Sequence, residues 1–201
     1  AGHGHTHGYA KADQEFFDQN FAMFERPDVV DATRRVAAAV RERYPSLFNA
    51  ESTMLLDYAC GTGLFSRELS AHVKSIVGVD ISTKVVEEYN SQAFMKGLSD
   101  KLKAVSVELK VDDQLDGTTQ QFDIVLCTMA YHHFSNPEEV TKILASFVKP
   151  AGSLVVVDLI SNGKESIISE EHRKTVPHAG GFDEDRMKAM FTAAGLGGFE
   201  M

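Results

Sequence analysis

Cysteine is nearly absent. Cys60 and Cys127 are the two in 201 residues, and they form no CxxC pair. Two isolated thiols build no disulfide framework, so a reducing, cytoplasmic location is expected. Positive charge is also short: 20 Lys and Arg stand against 29 Asp and Glu, a net charge of −9. That balance argues against a nucleic-acid binder held by phosphate contacts, though a small positive patch would fit within it. Long apolar runs are missing as well. Nothing approaches the ~20 residues needed to span a bilayer, and no signal-peptide pattern opens the chain. What remains is 43% hydrophobic and 24% charged, the balance of a soluble globular protein. At roughly 100–200 residues per domain, one domain with a short extension is expected, as a monomer or homodimer.

The first fifty residues differ from the rest. His3, His5 and His7 alternate with small residues; they form either a solvated tail or, with other imidazoles, a metal site. Phe17, Phe21 and Phe24 fall on one helix face, and a second helix is expected over residues 28–43. This 1–50 segment therefore reads as a His-rich tail and helices that cap or lid the main domain, 51–201. In that domain, strands are expected over 53–58, 75–80, 102–109, 122–127 and 152–159. Helices alternate with them over 63–72, 83–95, 137–148 and from Asp183 to about residue 195. Ser82, Asn136 and Asp183 are the N-caps, and Pro137 and Glu139 complete the start after Asn136. Strands alternating with helices give βαβ units, hence a Rossmann-like, doubly wound α/β fold. Its sheet would be mostly parallel with helices on both faces, and the chain would carry an N-terminal helical extension. Ala1 opens the chain, and Met201 follows a glycine-rich stretch that reads as a connection into another strand. A longer native chain with further C-terminal strands is therefore expected.

In such a sheet, ligands bind beyond the carboxyl ends of the strands, where strand order reverses. The informative residues stand there. Asp57 ends the first strand, and Gly61 and Gly63 follow it; two glycines so close imply a sharp bend or a ligand against the backbone. Asp80 ends the second strand, 19 positions after Gly61, where a carboxylate can accept both hydroxyls of a ribose. That spacing alone fits NAD as well. The pattern Gly61-x-Gly63-x-x-Ser66 lacks the third glycine of a dinucleotide site, however, and Asp57 would repel a pyrophosphate. An acid there suits a ligand with a cationic group, such as an amino-acid ammonium.

These motifs resemble those of the class I S-adenosylmethionine (SAM)-dependent methyltransferases. The first motif is the stretch from Leu56 and Asp57 to Gly63; the second is Val77-Gly78-Val79-Asp80-Ile81-Ser82. Phe122-Asp123-Ile124-Val125 followed by Ala130-Tyr131-His132-His133-Phe134 resembles the fourth-strand motif. Lys149-Pro150-Ala151-Gly152 resembles the LKPGG turn, with Ala151 in place of its first glycine. The subgroup it is most similar to is the UbiE-like, fungal-type methyltransferase-domain proteins. The resemblance implies SAM as cofactor and a small-molecule acceptor. It implies that Asp57, Ala59, Cys60, Gly61 and Gly63 surround the methionine and ribose part. Asp80 would hold the ribose hydroxyls, and Ile81 would pack on the adenine. Glu108 and Leu109 would lie at the adenine edge, and Thr128 and Met129 would line the wall near the sulfonium.

Methyl transfer from a sulfonium is an in-line displacement, so holding the partners in line supplies most of the catalysis. A base helps where the acceptor must lose a proton. His132 and His133 follow the fourth strand, and His178 in the loop before the last helix could close over the same pocket. Each has a plain structural alternative, a histidine bonded to a loop carbonyl. Other readings remain open at this point. They are a metal-linked, thiol- or metalloid-handling methyltransferase using His3, His5 and His7, a SAM-binding module without turnover, and an NAD oxidoreductase.

Overall fold

The computed structural model describes residues 14–15, 18–111, 113, 115, 120–161 and 176–201. The histidines at 3, 5 and 7, and the aromatic face expected around Phe17, lie outside the described residues. Five strands form one sheet: β1 Met54–Tyr58, β2 Ser75–Asp80, β3 Leu102–Ser106, β4 Phe122–Thr128 and β5 Val148–Val157. Their order is β3-β2-β1-β4-β5, and every pair is parallel. The chain runs outward from β1 to β3, then returns to the other side of β1 for β4 and β5. Strand order therefore reverses between β1 and β4.

Among the described residues, the helices beside the sheet include α1 Pro27–Arg43, α2 Leu64–Leu69, α3 Thr83–Met95, α4 Pro137–Ser146 and α5 Glu184–Ala193. Side chains alternate across a strand, so neighbours in sequence feed opposite faces. Leu55 packs into a cluster with Ala37 of α1, Leu69 of α2 and Val86, Tyr89 and Ala93 of α3. Leu56 packs into the other cluster, with Leu144 of α4 and Met187 and Met190 of α5. Both leucines are fully buried. A sheet covered on both faces demands such continuous apolar strands, which is why β1 and β4 read as unbroken runs.

The helix starts follow their local chemistry. The Ser82 hydroxyl accepts the Val85 N–H at 3.3 Å. Asn136 accepts the Glu139 N–H at 3.2 Å and donates to the Glu139 carboxylate at 3.2 Å, with Pro137 at the first helical position. Asp183 accepts the Arg186 N–H at 2.8 Å.

Three boundaries differ from the sequence expectation. β3 stops at Ser106, because Leu109 turns into the core cluster instead of continuing the strand. The helix after the glycine turn is short and tightens into a 3₁₀ turn at Ser70–His72. β5 begins at Val148, four residues early, and runs through Pro150 with a register shift: Phe122 pairs with Val148 but Ile124 with Ser153. Among the described strands β5 lies at the sheet edge, where proline is tolerated. Gly152 lets this bulge pass over β4, since a Cβ there would sit 2.8 Å from the Asp123 carbonyl and 2.9 Å from that of Phe122.

Candidate active site

The turn after β1 is built from backbone. Ala59, Gly61 and Gly63 take left-handed conformations, with φ of 56°, 54° and 91°. Gly63 begins α2 and its position is closed to any side chain: a Cβ would meet the Tyr89 ring at 2.7 Å. Gly61 is the opposite case, with open space where its Cβ would point. The turn is tied to β2 by the Cys60 N–H on the Val79 carbonyl at 3.0 Å, and closed by the Gly63 N–H on the Cys60 carbonyl at 3.1 Å.

Two carboxylates lie beneath this turn. The Gly61 N–H donates to Oδ2 of Asp80 at 3.0 Å and the Ser82 N–H to Oδ1 at 3.0 Å. Each oxygen thus holds one amide and keeps further acceptor capacity. Burial raises the Asp80 pKa against these amides, and Asp18 adds to the rise. Asp57 is 1% exposed. Its Oδ2 accepts the Ser66 hydroxyl at 2.7 Å, while its Oδ1 has no hydrogen-bond partner among the described residues. Burial pushes its pKa up to about 7, the Ser66 bond opposes this, and Asp80 pushes it further. A buried oxygen without a donor, beside a second carboxylate, is costly unless a cationic donor completes it. The donor set therefore fits an ammonium at Asp57 and a diol at Asp80.

The N-terminal segment reaches both turns. Gln14 Nε2 donates to the Ile81 carbonyl at 3.3 Å, and the Ser82 hydroxyl bonds Asp18. Glu25 Oε1 accepts the Thr62 hydroxyl at 3.0 Å and Arg67 Nη2 at 3.0 Å, while Arg67 Nη1 bonds the Thr62 carbonyl at 2.6 Å. Ile81 is 37% exposed beyond β2. Glu108 is exposed, near enough to Tyr58 to raise its pKa, whereas Leu109 is buried in the core cluster. Cys60 and Cys127 are buried, free thiols, both held protonated by burial first.

Across the reversal point the site is built from side chains. Thr128 ends β4, and Met129 follows with φ 51° and its N–H on the Val157 carbonyl at 2.6 Å. Met129 and Ala59 are the non-glycine residues in the left-handed region among those described, and they follow β4 and β1 directly. Such strain, about 1–2 kcal/mol per residue, gathers where a binding loop needs it. Tyr131–His133 form a 3₁₀ turn. His132 is buried, its Nδ1 2.7 Å from Oδ1 of Asp158, and its ring lies 4.3 Å from that of His133. The His178 N–H donates to the His132 carbonyl at 3.0 Å, which brings all three histidines together. The His178 pKa is lowered, first by burial and then by the Arg186 guanidinium. Among the described residues, no group of three His, Cys, Asp or Glu is placed to hold a metal ion. No helix there is long and apolar enough to cross a membrane.

A family model described as a methyltransferase domain matches residues 30–197, which hold all five strands and every cofactor-site and catalytic residue named from the sequence, though not His3, His5 and His7. The chain belongs to the methyltransferase-domain family. It is of the class I SAM-dependent type. A methyltransferase of Schizosaccharomyces pombe, C1347.09, is 40% identical over 156 residues, 73% of this chain and 54% of that protein. A ubiquinone biosynthesis O-methyltransferase of Coxiella burnetii is 29% identical over 110 residues, 55% of this chain and 45% of that protein. The chain thus spans about half the length of the curated relatives it matches. A SAM-dependent methyltransferase from Aquifex aeolicus shares the fold, with TM-score 0.69 at 16% identity over 89% of this chain and 87% of that one.

Three residues of this methyltransferase site escape the sequence reading. Ser66 stands where a dinucleotide site would carry its third glycine, and it holds Asp57. Glu25 joins the cap to the glycine turn. Asp158 follows β5 as Asp57 and Asp80 close β1 and β2, so an acid at a strand's carboxyl end was the available signal.

Proposed function

We propose that this protein transfers a methyl group from SAM to a small-molecule acceptor by in-line displacement. The observation that carries the reading is the paired carboxylates. Asp57, buried with one bare oxygen, suits the methionine ammonium, and Asp80, with spare acceptor capacity on both oxygens, suits the ribose hydroxyls. Ala59, Cys60, Gly61 and Gly63 supply the backbone around the methionine and ribose. Ile81 packs on the adenine, with Glu108 at its edge and Leu109 supporting from the core. Thr128 and Met129 face the sulfonium side. When bound, SAM supplies an electrophilic methyl on a charged sulfur. The chain's work is to hold the acceptor in line with it and to manage the acceptor's proton. His132, His133 and His178 serve that proton. The described part of residues 1–50 caps the cofactor half, a role supported by the bonds of Gln14, Asp18 and Glu25 to the turns after β1 and β2.

Calorimetry with SAM and with its demethylated product tests the reading. Saturable binding of both, weakened in Asp80→Ala, is expected. A folded chain that binds neither, or that binds NAD in their place, overturns it. A SAM-binding module without turnover is the second reading. It would bind both ligands yet form no demethylated product with a panel of hydroxyl, amine and thiol acceptors.

A further inference from the structure

Three imidazoles meet after β4, but their hydrogen bonds make them chemically unlike. A neutral imidazole carries one proton, and the partner of one nitrogen decides what the other offers. His132 Nδ1 lies 2.7 Å from Oδ1 of Asp158. A carboxylate only accepts, so the His132 proton sits on Nδ1, and Nε2 carries the lone pair. The bonds to Asp158 engage Nδ1 and the backbone N–H of His132, not Nε2. His178 is the reverse. Its Nδ1 lies 3.3 Å from Nη1 of Arg186. A guanidinium only donates, so Nδ1 of His178 accepts and its proton sits on Nε2. Burial and the same guanidinium lower the His178 pKa.

We infer that Asp158 is a positioning residue that fixes His132 in its Nδ1–H tautomer, making His132 Nε2 the proton acceptor, while Arg186 fixes His178 as a hydrogen-bond donor. The inference rests on the methyltransferase reading. The Asp158 carboxylate is well placed for this. Its side chain is 5% exposed, its Oδ1 also accepts the Leu159 N–H at 2.7 Å, and its Oδ2 accepts the His132 N–H at 3.3 Å. It therefore holds the imidazole and the backbone of His132 together, anchored on the end of β5. In the transfer, the acceptor's X–H bond breaks and its proton goes to His132 Nε2. The electron pair left on X forms the bond to the methyl carbon. The carbon–sulfur bond breaks with its pair going to sulfur, which becomes a neutral thioether. The resulting imidazolium lies against the Asp158 carboxylate, so the charge is compensated where it appears.

A purely structural Asp158 would staple the β4 turn to β5 without setting the tautomer, and the test separates the two roles. The full chain, labelled with heavy nitrogen, is examined by correlation NMR of its imidazole nitrogens, with His132→Asn and His178→Asn assigning the signals. The wild type is expected to show His132 protonated on Nδ1 and His178 on Nε2. Asp158→Asn keeps the shape and a carbonyl acceptor for the backbone, but its amide can donate to Nδ1. That variant is expected to move the His132 proton to Nε2, and Asp158→Glu to restore it. His132 protonated on Nε2 in the wild type overturns the inference, as does an Asp158→Asn spectrum unchanged at His132. Should Asp158→Asn fail to fold, the wild-type spectrum decides alone. SAM affinity, measured separately by calorimetry, is expected to change less than threefold in Asp158→Asn. Loss of SAM binding in the wild type would sink the proposed function and leave the tautomer result standing.

Discussion

At the β1–β2 end of the site, the working parts are backbone amides, two glycines and two carboxylates, of which Asp57 is buried with an oxygen left bare among the described residues. At the β4–β5 end they are imidazoles, two of which, His132 and His178, are held by a charged side chain from elsewhere in the fold. The first end works through backbone and the second through side chains, and among the described residues each keeps a buried polar atom open, Asp57 Oδ1 at one and His178 Nε2 at the other. The contrast follows from what each must do. A cofactor of constant shape is met by a fixed backbone cradle, whose cost is stored as positive φ and an unsatisfied acid. A proton acceptor must instead present one defined lone pair, and only a second group can set that.

The largest effect expected concerns the rigidity of the cradle. Gly63→Ala forces a Cβ to 2.7 Å from the Tyr89 ring at a φ of 91°. Overpacking and left-handed strain together should cost about 2–5 kcal/mol, read by chemical denaturation. A loss below 1 kcal/mol would show that the turn gives way and the cradle is not fixed.

Asp57 carries the next effect. Its pKa is raised from 3.8 to about 7, so between these values the folded state binds more protons than the unfolded state. Stability of the ligand-free protein should therefore fall as pH rises from about 4 to 7 and flatten above that. Asp57→Asn should remove the penalty, stabilising the ligand-free protein at pH ~8 by on the order of 3 kcal/mol and changing little near pH ~4. Equal melting curves for the two proteins at high pH would mean that the buried acid is already compensated.

Asp80→Ala should weaken SAM binding by about 1–3 kcal/mol, since it removes acceptors with charge behind them. Unchanged affinity would refute the ribose role. The smallest effect belongs to the other end of the site. Gly181 has φ 76°, and a Cβ there would lie 2.3 Å from the Leu159 carbonyl oxygen. That oxygen also accepts the Phe182 N–H at 2.9 Å, so the loop must shift off the end of β5 to make room, and Gly181→Ala should cost about 1–2 kcal/mol of global stability while freeing His178 from His132. The freed loop would show as faster hydrogen exchange at the His178 amide. A penalty as large as that of Gly63→Ala would erase the distinction between a rigid cradle and a docked loop.

Legibility in the sequence divides along the same line. Asp57, Gly61, Gly63 and Asp80 stand in one βαβ unit, where spacing alone carries the constraint, and the parallel sheet followed from strands alternating with helices. Ser66 was visible only as a missing glycine, because the hydroxyl's bond to Asp57 spans a turn of the fold. Asp158 and His132 lie 26 positions apart, beyond the ends of adjacent strands, and no local pattern pairs them. Pro150 hid the early start of β5, since proline marks a break unless the strand is known to lie at an edge. Leu109 looked like a continuation of β3, and only the packed core shows it turning inward.

The most direct measurement is calorimetric titration of the wild-type chain with SAM at pH ~6 and ~8, in buffers of differing ionisation enthalpy. An ammonium placed against Asp57 must drive that acid to its charged form. The account therefore predicts one saturable site, proton release at the lower pH, tighter binding at the higher, and loss of the proton release in Asp57→Asn. Binding with no proton release at either pH would contradict the place given to Asp57, and no binding at all would contradict the site itself.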